Sequence, residues 1–220
     1  MIASLIETPD NYELIRDRVA SILSMETAGQ QALAVAAGRP PDGWAFKVFT
    51  ERSNPWEDYL NDEVVTTPIV NVWYDNSNFD KARSNSVERQ GAEATINIDC
   101  YAVGYSQSTA DGHMAGDEGA ARRIQHVTTL VRKIIMAAEY TYLKYRGVVA
   151  GRWITSVSIF QPKPDANTAQ AIIGARITLM VQFNEFSPQV EAVALEELGV
   201  TIYRAENGEI LTKADYIYGE

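Results

Sequence analysis

The chain of 220 residues has one cysteine and two histidines. A lone thiol, Cys100, excludes an intrachain disulfide and fits assembly in a reducing compartment. His113 and His126 lie far apart, and no His-Glu-x-x-His or Cys-x-x-Cys pattern occurs, so a zinc site is short of ligands. No apolar run reaches the roughly eighteen residues of a membrane-spanning helix. The start, Met1 to Tyr12, turns polar too soon for a signal peptide and lacks a basic opening. The Gly-rich stretch Ala115 to Gly119 has no P-loop lysine and serine at the required spacing, which argues against a mononucleotide site.

Basic residues are also few. The formal charge is −10, with 19 Lys and Arg against 29 Asp and Glu. That argues against tight, non-specific nucleic-acid binding, which needs clustered cations. Arg122-Arg123 and Arg132-Lys133 are the nearest approach to a basic stripe, and pairing with acids is their commoner role. Carboxylates are plentiful, but no spacing selects a catalytic or metal-binding pair. Asp75, Asp80, Asp99 and Asp111 read as solvated acids near strand ends or loops. The expectation is therefore no enzyme, no cofactor and no metal.

At 46% hydrophobic, the chain has ample material for a core. Its organising stretch runs from Ala115 to Arg146, the longest candidate helix. Ile124, Val127, Val131, Ile134 and Ala138 recur there at helical spacing. Asp117 and Glu118 suit its first turn, and Lys144 and Arg146 its last. An earlier helix opens at Thr8-Pro9 and continues past Gly29, which is placed to kink it, to a stop at Gly38. Trp44 to Phe49 reads as a short strand, and Asn54 to Leu60 as a capped helical turn. Thr67 to Tyr74 and Ala92 to Gly104 alternate as strands before the long helix; Arg152 to Phe160 and Ala171 to Asn184 do so after it. Cys100 falls on an apolar strand face and reads as a small buried residue. The fold expected is α+β: a mainly antiparallel sheet packed against one long helix plus an N-terminal helix.

Two segments stand outside this frame. Asp75 to Gly91 is polar and long for a hairpin connection, as functional or mobile loops are. After Pro188, a short helix over Gln189 to Leu198 leads to Val200–Arg204 and Glu209–Lys213, which flank Asn207-Gly208, a strong hairpin signal. The division expected is a body over 1–188 and a C-terminal arm with a β-hairpin over 189–220. An isolated hairpin is barely stable, so the arm must dock on its own body or on a partner. Candidate subunit or partner contacts are Asp75, Phe79, Arg83 and Arg89 in the loop segment, and Val200, Ile202, Tyr203, Ile210 and Tyr216 in the arm.

Over roughly Pro9 to Pro188 this order of elements resembles the tail terminator family of tailed bacteriophages and related neck or tail-completion proteins. The resemblance rests on the N-terminal helix, the strands Thr67–Tyr74 and Ala92–Gly104 with the closing Gly104, the helix Ala115–Arg146 and the hairpin Arg152–Asn184. It implies a structural virion protein, assembled in the host cytoplasm, forming a homo-oligomeric, hexameric ring at the head-proximal end of the tail. Such a ring ends tube growth, joins tail to neck and, in contractile tails, engages the sheath. Its partners would be tail tube, sheath and neck or connector proteins, with no membrane, and DNA would pass without specific binding. The family has no catalytic residues to carry over. The long loop and the C-terminal arm depart from a minimal terminator. Alternatives are a tail-tube, baseplate or head-decoration subunit, and a small-molecule binding module or enzyme with its site at a sheet edge.

Overall fold

The computed structural model describes residues 5, 7–61, 66–79, 89–109, 112–162 and 171–186, together with the backbone of 197–203 and 210–217. The chain forms two units, Met1–Ser187 and Pro188–Glu220.

The first unit is α+β. Its sheet has five strands, β1 (Lys47–Thr50), β2 (Ile69–Phe79), β3 (Arg89–Gly104), β6 (Val149–Phe160) and β7 (Ala171–Phe186), in the order β1-β2-β3-β7-β6. β1 runs parallel to β2, and every other pairing is antiparallel. The long strands β3 and β7 pair along their whole length, from Arg89 opposite Phe186 to Gly104 opposite Ala171. A small hairpin pairs β4 (Gln107–Thr109) with β5 (Gly112–Met114), between β3 and the helix that follows.

Two helices, α1 (Asn11–Ala36) and α3 (Gly116–Ile135), pack on one face of this sheet. Ile15, Val19 and Leu23 of α1 and Ile124, Val127 and Val131 of α3 are buried at helical spacing. They meet Val70, Val72, Ile96, Ile98, Ile177, Leu179 and Val181, the alternate residues of β2, β3 and β7. Each such side chain contributes about 1.5–3 kcal/mol by leaving water. Cys100 is fully buried within this layer, and burial pushes its thiol up, out of nucleophile range.

The helix expected over Ala115–Arg146 is shorter. α3 ends at Ile135, and a 3-10 turn (Ala138–Tyr140) follows. No glycine or proline marks that stop. Instead the Arg152 guanidinium donates to the carbonyls of Ile135 and Ala137, both at 2.7 Å, and caps the helix from across the fold. α1, at 26 residues, is the longer helix, and Gly29 does not split it. Its N-cap is Asp10, not Thr8, and Asp10 makes no side-chain cap. Glu185 at the end of β7 accepts the Asn11 amide at 3.1 Å instead.

Other boundaries shift as well. The strand expected at Trp44 begins at Lys47, after a 3-10 turn over Pro41–Trp44. The loop expected over Asp75–Gly91 is strand at both ends, because the polar residues up to Phe79 and from Arg89 have ladder partners on β3 and β7. β3 ends where Gly104 touches Gly116 at the start of α3; a β-carbon on Gly104 would run into the Gly116 carbonyl oxygen.

The second unit contains an antiparallel pair, β8 (Glu197–Tyr203) and β9 (Ile210–Ile217). Tyr203 pairs with Ile210, and Asn207-Gly208, expected between the two strands, lies outside the described residues. Leu198, expected to close a short helix, is in β8; residues 189–196 of that expectation lie outside the described residues.

Candidate interaction surface

The helices cover one face of the sheet. The period of two puts Trp73, Asn97, Asp99, Arg176, Thr178 and Met180 on the other. A short cover lies over one end of it, built by a 3-10 turn (Pro55–Glu57) and α2 (Asp58–Asn61). Tyr59 is fully buried there against Ile69, Tyr101, Val103 and Ile172. Its hydroxyl donates to the carbonyl oxygens of Thr67 and Tyr101, with either of which it lies at 3.0 Å. The Asn71 side chain fastens the segment before this cover: its Oδ1 accepts from the Arg52 amide at 3.2 Å, and its Nδ2 donates to the Arg52 carbonyl at 2.9 Å.

Asp99 holds the middle of this face. It was expected to be a solvated acid, and it is only 3% exposed. Arg176 grips it with two prongs, Nε to Oδ1 at 2.7 Å and an Nη2 to Oδ2 at 2.9 Å. Trp73 Nε1 donates to the same Oδ2 at 3.0 Å, and the Tyr101 hydroxyl reaches it at 3.4 Å. The Arg176 guanidinium lies over the rings of Trp73 (4.8 Å) and Phe160 (5.7 Å). Burial, with the Asp99 charge beside it, drives the Tyr101 hydroxyl well above its ordinary pKa. Thr178 donates to Asn97 Oδ1 at 3.2 Å in the next register pair. The long Arg and Trp side chains themselves shield the acid from water, so a mid-strand aspartate is buried without a covering layer. Its residue types, Trp, Arg and Met, are those enriched in the centres of protein interfaces.

The face runs out to β6, an edge strand. Among the described residues no strand pairs with its outer edge. Trp153 is 37% exposed, Val157 48% and Ile159 62%. Register places Trp153 opposite Met180 on the uncovered face, and Val157 and Ile159 opposite Ile177 and Ala175 on the helix side, beyond the reach of the helices. The other edge, β1, is four residues long and is followed by the Arg52–Asp58 ion pair at 2.9 Å. The Arg52 guanidinium holds Asp58 below its ordinary carboxylate range.

Of the residues expected to make contacts, Asp75 is exposed at a bulge between Tyr74 and Asn76, and Phe79, 47% exposed, pairs with Ala92. Arg89 is exposed and pairs with Phe186. Arg83 lies outside the described residues. Val200, Ile202 and Tyr203 are on β8, and Ile210 and Tyr216 on β9, in the second unit. Sequence reasoning missed Trp73, Asp99, Trp153 and Phe160 as a surface. One signal was legible: Asp99 and Arg176 each sit mid-strand on the polar side of an alternating run.

Among the described residues no group of three or more His, Cys, Asp or Glu is placed to hold a metal, and no helix is long and apolar enough to cross a membrane. No family model matches the chain, and no curated protein matches it.

Proposed function

We propose that the chain is a structural virion protein that forms a closed ring at the head-proximal end of a phage tail, ends tube growth and joins the tail to the neck. In a contractile tail the same ring would engage the sheath. The observation that carries this reading is the uncovered sheet face, where Trp73, Trp153, Met180, Phe160 and Arg176 gather on a chain of charge −10. A closed ring needs a head-to-tail contact between two different surfaces of each subunit. A half-solvated face rich in Trp, Met and Arg suits one side of that contact. The order of elements, with a strand pair on either side of α3, supports the assignment to a terminator-like protein. Mutual repulsion between acidic copies keeps free subunits apart until specific contacts offset it, and an acidic lumen lets DNA pass without sticking.

The test is light scattering over a concentration series, with negative-stain images of the same sample and of the sample mixed with tail tubes. Closed rings of about six subunits, single or doubled, are expected, and Met180→Glu should dissolve them while leaving the circular dichroism spectrum unchanged. Monomers in every sample, tubes included, overturn the reading. Open helical polymers would move the assignment to a tail-tube or baseplate subunit.

A further inference from the structure

We propose that β6 is also a two-fold contact: it pairs edge to edge with β6 of a second copy, antiparallel, about an axis at Ser158. The proposal does not rest on the ring reading, which uses the sheet face and not this edge.

The strand is bare where natural edges are guarded. Edges that face water carry lysines, prolines or inward charges that stop another strand from adding. From Trp153 to Phe160 the chain has none of these. The one charge on the strand, Arg152, is turned inward to cap α3. Its guards are two bulges, between Val149 and Gly151 and between Ile154 and Ser156, and the second ends regular pairing on that side. Phe160 ends the strand on the other. The regular edge is therefore 156–160, and its midpoint is Ser158.

Symmetry limits the axis to one that passes through a residue, and the midpoint of the regular edge makes that residue Ser158. A two-fold axis normal to the sheet keeps each face on its own side, so paired residues must share a face. Ser156, Ser158 and Phe160 are on the uncovered face, opposite Thr178, Arg176 and Gly174. Val157 and Ile159 are on the helix side, opposite Ile177 and Ala175. An axis at Ser158 pairs Ser158 with itself, Ser156 with Phe160, and Val157 with Ile159 of the second copy. Every pair then shares a face, and the two most exposed apolar residues of the sheet, at 48% and 62%, cover each other twice over.

Charge selects the occupant. The stretch 140–164 contains no Asp or Glu, in a chain with 29 of them. An acidic second copy meets no like charge on this strand. The six-residue offset of Arg152 from the axis keeps the two copies' guanidinium groups about 40 Å apart along the strands.

Cysteine cross-linking reads the register. Cys100 is buried and does not compete. In Ser158→Cys the two α-carbons would face each other about 4.5–5.5 Å apart, within reach of a disulfide. In Ser156→Cys they would be offset by about 13 Å. Mild oxidation should therefore couple S158C at least about ten-fold faster than S156C. Ile159→Lys, at an exposed site, should keep the melting temperature while halving the mass seen by sedimentation, whether the parent species is a dimer or a doubled ring. Equal coupling of S158C and S156C, or an undiminished mass for I159K, would overturn the proposal.

Discussion

The ring of Phe160 lies over Gly174, its register partner on β7, 2.6 Å from where a β-carbon of that glycine would stand. The same ring meets Tyr101 edge to face, with centroids 5.8 Å apart. A residue with no side chain thus makes the seat from which an aromatic ring reaches both the buried tyrosine and the Arg176 guanidinium. Gly174→Ala should displace the ring and cost about 1–3 kcal/mol by overpacking. Phe160→Ala should cost a similar amount through lost burial. The double variant should be less destabilised than the sum, because the alanine at 174 then has room. Urea midpoints of the four proteins check this; strict additivity would mean that the ring and the glycine are uncoupled.

Asp99 and Arg176 are unequal partners, with 4% and 39% side-chain exposure. Asp99→Ala should cost about 2–3 kcal/mol, below the range for a fully buried pair, since the orphaned guanidinium can turn to water. Arg176→Met should cost more, because it strands the buried carboxylate. The double variant should recover part of the loss. Trp73 loses its indole partner in Asp99→Ala, so its fluorescence should shift; an unchanged spectrum would sever Trp73 from the network.

Arg152 ends a helix that carries no stop signal in its own sequence. Arg152→Met removes the bonds to Ile135 and Ala137 and should cost about 1–3 kcal/mol. Arg152→Lys should restore only part of that, since an ammonium lacks the planar fork. Burial lowers the Arg152 pKa from its ordinary value, but a guanidinium stays charged. Hydrogen exchange should show the loss concentrated in the last turn of α3; uniform loosening of the whole helix would refute a capping role.

Two carboxyls should give stability opposite slopes with pH. Burial raises Glu185 above its ordinary value of 4.5, against the pull of the Asn11 and Phe186 amides. The folded state then holds that proton more tightly than the unfolded state. The contribution is full below the ordinary value and is lost as pH rises through the raised one. Asp58 is lowered by Arg52, so its contribution is present above its ordinary value of 3.8 and lost as pH falls through the lowered one. Glu185→Gln should gain on the parent protein as pH climbs, and Asp58→Asn should approach it in acid. Denaturation series between about pH 3 and about pH 7 read both; parallel curves would contradict them.

Alternation along Ala92–Gly104 and Ala171–Asn184 and the helical spacing of Ile124, Val127, Val131 and Ile134 were enough, read alone, to give an α+β chain with these residues in its core; Ala138, expected on the same stripe, is exposed in the 3-10 turn beyond α3. Those patterns are local, because period two and period 3.6 are properties of the backbone. The stop of α3, the capping of α1 and the burial of Asp99 come from partners far along the chain: Arg152 to Ile135, Glu185 to Asn11, Arg176 to Asp99. Strand order likewise came from tertiary pairing, which set β7 between β3 and β6 and left β6 at the edge. Side-chain periodicity says which face of a strand is apolar. Only the packed sheet decides which strand lies at its edge, since that depends on the set of ladders the whole chain can satisfy together.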